Sequence, residues 1–147
     1  MHPRSETPSR LAELPDLAGT RVLAVDDEED ARVLLRVVLQ AAGARVTTVD
    51  SGSRVLECIV AEQPDVLIAD LGMPHMDGFE LITRIRESTN EAVRTIPAAA
   101  LTAYARSENR TKALRRGFEM HLAKPVDPGE LIAAVAVLAR RRRVQNH

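Results

Sequence analysis

The chain has no tryptophan, one tyrosine, two phenylalanines and one cysteine in 147 residues. Three rings (Phe79, Tyr104, Phe118) cannot form the stacked platform on which single-stranded nucleic acid is held. A lone thiol allows no internal disulfide, so a reducing cytoplasm is the expected location. Cys58 itself falls within an apolar helical pattern and reads as a buried thiol. No apolar run is long enough to span a bilayer and no secretory signal is visible, so no membrane attachment is expected. An excess of one charge is also missing. The 20 basic and 21 acidic side chains leave a net charge of -1, which argues against bulk electrostatic binding to nucleic acid or membrane. Only two of the 20 basic residues are lysines, which makes Lys124 conspicuous.

What is present is a hydrophobic fraction of 45%, enough for one domain with its own core. Residues 1–19, with Pro3, Pro8 and Pro15 among polar neighbours, read as a disordered leader or linker. Leu11, Leu14 and Leu17 are its only anchors for docking back onto a domain. From Arg21 onward, short apolar runs alternate with helical spacing. Val22-Leu23-Ala24-Val25, Val66-Leu67-Ile68-Ala69 and Ala98-Ala99-Ala100-Leu101 read as strands buried on both faces. Val46–Val49 and Met120–Ala123 complete a set of five strands. Between them, apolar residues at helical spacing predict five helices. One runs from Ala31 to Ala42 and stops at Gly43. Another is capped by Ser53 and ended by Pro64. A third opens at Asp77-Gly78, a very polar one covers Ser107–Arg116, and the last starts at Pro128. Alternating strands and helices predict an α/β doubly wound parallel sheet, flavodoxin-like, with strand order 2-1-3-4-5. The domain is expected over 20–140, followed by a basic tail over 141–147.

In such a sheet the carboxyl ends of the strands share one edge, and ligands bind at the switch point between strands 1 and 3. Asp26 and Asp27 close the first strand, Asp70 the third, Thr102 the fourth and Lys124-Pro125 the fifth. Two carboxylates about 5 Å apart repel by roughly 3 kcal/mol at an effective dielectric of 20. A clustered triad therefore asks for a cation, and an all-oxygen donor set selects Mg²⁺, or Mn²⁺, over softer metals. Such a pocket suits phosphoryl transfer to a carboxylate. Asp70, alone on the central strand, is the expected nucleophile, with Lys124 and Thr102 contacting phosphoryl oxygens. Each residue has a plainer reading when taken alone. The acidic run complements a helix dipole, Thr102 is a turn residue and Lys124 a solvated one. Their joint placement on one edge favours chemistry.

The stretches Val-Asp-Asp-Glu (25–28), Asp-Leu-Gly-Met-Pro-His-Met-Asp-Gly (70–78), Ala-Leu-Thr-Ala (100–103) and Leu-Ala-Lys-Pro (122–125) resemble response-regulator receiver domains over about residues 20–140. The resemblance implies a two-component phosphorelay in which Asp70 takes a phosphoryl group from a histidine kinase or a histidine phosphotransfer protein. It implies Mg²⁺ held by Asp26, Asp27 and Asp70, with Asp27 a direct ligand and the Gly72 carbonyl another. It also implies a cis Lys124-Pro125 peptide, and a Thr102 and Lys124 that bind the phosphate and draw in the segment after strand 4.

Two departures from the family pattern stand out. His121 occupies the aromatic switch position, so an aromatic rotamer switch is in doubt; His-Leu-Ala-Lys-Pro is similar to receivers of hybrid histidine kinases. Gly72 and Tyr104 occupy positions that tune phosphate loss, with Tyr104 expected to cover part of the site. The expected protein is a stand-alone signalling switch, a monomer or weak homodimer rather than an enzyme, with no nucleic-acid partner. The rival readings are an excised receiver of a hybrid kinase and a phosphatase forming an aspartyl phosphate. Phosphatases of the haloacid dehalogenase class want a second aspartate two residues after the nucleophile, where this chain has Gly72.

Overall fold

The computed structural model describes residues 14–103 and 107–145. Five strands form one parallel sheet in the order β2-β1-β3-β4-β5. They are β1 (Arg21–Val25), β2 (Arg45–Val49), β3 (Val66–Asp70), β4 (Ala98–Thr102) and β5 (Met120–Ala123). The helices are α1 (Glu29–Ala41), α2 (Gly52–Glu62), α3 (Gly78–Arg86), α4 (Glu91–Arg94), α5 (Ser107–Arg116) and α6 (Pro128–Gln145). This is the expected flavodoxin-like topology with one helix more than the periodicity predicts. Four residues are too few to show a period, and α4 is held instead by Asn90, whose side chain accepts the Val93 N–H.

The continuous apolar runs divide by parity. Val22, Ala24, Val66, Ile68, Ala99 and Leu101 pack with Leu35 and Leu39 of α1 and with Leu131, Val135 and Leu138 of α6. Leu23, Val25, Leu67, Ala69, Ala98 and Ala100 pack with Val55 and Ile59 of α2 and Leu81, Ile82 and Ile85 of α3. Successive strand side chains point to opposite faces, so a strand apolar at every position serves two cores. The alanines of β4 are strand, as their flanking proline suggested.

Several boundaries differ from expectation. Ser51, not Ser53, caps α2, its hydroxyl accepting the Arg54 N–H. The folded region starts before residue 20. Leu17 is buried against α1, its N–H bonded to the Ala42 carbonyl, so the leader reading fails for residues 14–19, while 1–13 lie outside the described residues. Of the three leucines offered as anchors, Leu14 is exposed and Leu11 is not described. At the other end, α6 continues to Gln145, so the basic stretch over 141–145 is helical, with Arg142 buried and its four neighbours exposed. Cys58 is only half-buried, and burial pushes its thiol up from its ordinary value, with Glu62 adding to the effect. Among the described residues no helix is long and apolar enough to cross a membrane.

Candidate functional site

The register sets the site. Val25 pairs with Ala69 and Asp70 with Leu101, while Thr102 pairs with Ala123. One step past Val25 therefore brings Asp26 level with Asp70, and one step past Ala123 brings Lys124 beside Thr102. The Lys124 N–H donates to the Thr102 carbonyl at 2.8 Å, and the Lys124-Pro125 peptide is cis, as expected. Asp26, Asp70 and Thr102 are buried at 0%, 5% and 4% exposure, whereas Asp27 is exposed.

Each carboxylate is held by its own loop. Asp26 Oδ1 accepts the Glu28 N–H at 3.0 Å, and Arg32 of α1 donates to the Asp26 carbonyl at 2.8 Å. Asp70 Oδ1 accepts the Gly72 N–H at 3.1 Å. The loop after β3 is pinned where α3 begins: Asp77 caps that helix through the Glu80 N–H, and the Gly78 N–H donates to the Leu71 carbonyl. A Cβ on Gly78 would lie 2.6 Å from the Asp70 carbonyl oxygen and 2.9 Å from Leu71 Cα, both backbone atoms, so only glycine fits.

Electrostatically the site is a carboxylate triad with one resident cation. Oxygens of Asp26, Asp27 and Asp70 lie within 4.8 Å of one another. Lys124 Nζ sits 2.7 Å from Asp26 Oδ2 and 3.4 Å from Asp70 Oδ1, with Glu28 Oε1 at 3.9 Å. Burial pushes the Asp70 carboxyl up to about 6; the Gly72 N–H and Lys124 oppose the rise, while Asp26 and Asp27 add to it. Burial disfavours the Lys124 ammonium, but Asp26 and then Asp70 outweigh it and hold the group above its ordinary value. Among the described residues, Asp26 Oδ2 is buried with no hydrogen bond aligned on it, only the ammonium contact. An unaligned buried oxygen and a carboxylate pushed toward protonation are what a hard cation would relieve.

The pocket has a volume of about 300 Å³, lined in part by Asp27, Asp70, Gly72, Phe79, Thr102 and Lys124. Asp26, Asp27, Asp70, Gly72, Thr102 and Lys124, expected from the sequence to share a site, therefore stand at one edge. Sequence reasoning missed Phe79 and Asn109, which also line the pocket, and Arg32, which braces Asp26. Phe79 read only as a helix residue, and Asn109 as part of a polar helix. Glu28 was read as serving the helix dipole, and it also faces Lys124. His121, on β5 opposite Ala100, is partly buried with its Nε2 unpartnered among the described residues. Burial, reinforced by the nearby Arg110 charge, pushes its imidazole below the ordinary histidine value. Tyr104 lies outside the described residues.

The response regulator receiver domain family matches residues 22–136. The chain belongs to that family. An uncharacterized 14.6 kDa protein from the sodA1 3′ region of Leptolyngbya boryana is 50% identical to it over 119 residues, covering 81% of this chain and 89% of that one. The transcriptional regulatory protein PrrA of Mycobacterium tuberculosis is 34% identical, covering 86% of this chain but 52% of its own length. The receiver domain thus spans about half of that relative. The crystal structure of the chemotaxis response regulator CheY4 of Vibrio cholerae superposes with a TM-score of 0.74 at 30% identity, covering 81% of this chain and 98% of that one. Receiver domains of two-component signal transduction are signalling switches rather than metabolic enzymes.

Proposed function

We propose that this receiver domain is the phosphoacceptor of a phosphorelay, with Asp70 as the acceptor. A carboxylate oxygen of Asp70 attacks phosphorus on a phosphohistidine. The new O–P bond forms as the P–N bond breaks, and the bonding pair leaves with the imidazole nitrogen. The product is an aspartyl phosphate. Lys124, already in contact with Asp26 and Asp70, is placed to follow the charge onto a phosphoryl oxygen. Thr102 presents its hydroxyl at the same edge as a second donor. Asp26, Asp27, Asp70 and the Gly72 carbonyl are the groups that would hold Mg²⁺, or Mn²⁺ in its place; the all-oxygen set suits such an ion. When bound, the ion neutralises charge between the carboxylate and the phosphoryl oxygens.

The donor is a histidine kinase or a histidine phosphotransfer protein, and the output is a changed surface read by a protein partner. The receiver works in the cytoplasm, monomeric or weakly dimeric. The observation that carries this reading is the convergence of Asp26, Asp70 and Lys124 at contact distance on one sheet edge. Intact-mass measurement after incubation with acetyl phosphate and Mg²⁺ tests it. The wild type should gain one phosphoryl group and Asp70→Ala none. Equal gain in both, or gain in neither, would refute Asp70 as the acceptor.

A further inference from the structure

At the opposite edge, beneath the amino ends of β1 and β3, lies a cavity of about 500 Å³, larger than the acceptor pocket. Arg21, Gln63, Asp65, Asn90 and Ile96 line it together with Arg142. Arg142 is 7% exposed, yet no carboxylate among the described residues forms an ion pair with it. Its guanidinium donates to the Ala92 carbonyl at 2.6 Å, to Thr95 Oγ1 at 3.2 Å and to Gln145 Oε1 at 3.4 Å, all neutral acceptors. Those three bonds leave two of the five guanidinium N–H groups uncommitted. A buried cation with only neutral partners is costly unless a counter-charge completes it. The carbonyl end of α4 offsets some of that charge, but a four-residue helix has a small dipole. Asp65 acts on Arg142 only at longer range, and its Oδ2 already accepts the Arg21 N–H at 2.8 Å.

We propose that this cavity is a second ligand site, for a small organic oxyanion whose carboxylate or phosphate pairs with Arg142. Two guanidiniums against one carboxylate leave the lining with a net positive charge, and the amides of Gln63 and Asn90 can read hydroxyls on the ligand body. The volume lies in the range of small-molecule sites. Two of the three partners of Arg142 belong to α4 and to the segment that enters β4, so an occupied cavity ties α6 to that strand more firmly. By mass action the ligand also raises stability. The inference is independent of the role of Asp70.

Methyl NMR of the full chain tests it, with L-malate and orthophosphate added separately and sodium chloride at matched ionic strength as the control. At least one anion should saturably shift the methyls of Val60 and Ile96, both of which line the cavity. Saturation by malate identifies a carboxylate ligand, and saturation by phosphate a phosphate one. Arg142→Lys, which keeps the charge but loses the planar fork, should weaken binding about fivefold or more. Asp65→Asn, which removes the competing anion, should tighten it severalfold. Shifts no larger than those with chloride, or equal affinity in the wild type and both variants, would overturn the site.

Discussion

Asp70 is most exposed to change where its proton is concerned. Its folded carboxyl titrates at about 6, against about 3.9 in an unfolded chain. A group whose value is raised on folding stabilises the native state fully below the unfolded value. That contribution is lost as pH rises through the folded value. In metal-free protein the ionised Asp70 should therefore cost about 2 kcal/mol above about pH 7, a full two-unit conversion being reduced because water reaches the pocket. Thermal unfolding with EDTA at about pH 8 should place Asp70→Asn about 4–8 °C above wild type. The difference should vanish near pH 4. Magnesium should raise the wild-type midpoint and leave the variant nearly unmoved; equal response in both would remove Asp70 from the ion site. His75 is a second residue with a backbone signature, at φ 67° in the exposed loop after β3. Left-handed backbone disfavours a side chain, so His75→Gly should not destabilise the fold and should raise its stability by up to about 1 kcal/mol, as read in a urea titration.

At the scale of elements, α5 is the least anchored. Ala113 is fully buried, but Leu114 is 46% exposed. In place of apolar area, α5 has Lys112, whose ammonium lies 4.2 Å from the centroid of the Phe79 ring on α3, and Arg116, which donates to Thr83 at 3.3 Å. A cation on an aromatic face is worth about 0.5–1 kcal/mol at an exposed site. Phe79 also lines the acceptor pocket, so this contact joins the polar helix to the rim of the site. Lys112→Gln should raise hydrogen exchange across 107–116 about two- to fivefold, with β1 and β3 unchanged. Uniform acceleration throughout the chain would instead mean that global stability had changed.

Across the whole molecule, Arg86 at the end of α3 ties that helix to the segments that enter β4 and β5. Its guanidinium donates to the Gly117 carbonyl at 2.7 and 3.0 Å, to the Arg94 carbonyl at 2.8 Å and to Glu119 at 3.1 Å, and Glu119 accepts the Ala98 N–H at 2.7 Å. Gly117 has φ +127° and lies against the Arg86 side chain, so any other residue would be strained in that turn. Arg86→Ala should cost about 2 kcal/mol, seen as a midpoint about 4–8 °C lower by calorimetry. A shift under about 1 °C would show the network to be decorative. Neither Arg86 nor Arg142 was legible as a joint, because an arginine in a polar helix looks the same whether it faces water or a distant carbonyl. The sequence alone determined the central strands β1, β3 and β4, since runs apolar at every position must be buried on both faces, and the alternation with helices pointed to the flavodoxin-like order. It also determined that Asp26, Asp70, Thr102 and Lys124 meet, because strand ends share an edge. Only the tertiary structure decided that Lys124 contacts Asp26 more closely than Asp70, that Leu17 belongs to the core, and that Arg142 is buried without a carboxylate partner among the described residues. Those outcomes depend on distances between segments far apart in the chain, and local periodicity carries no record of such distances.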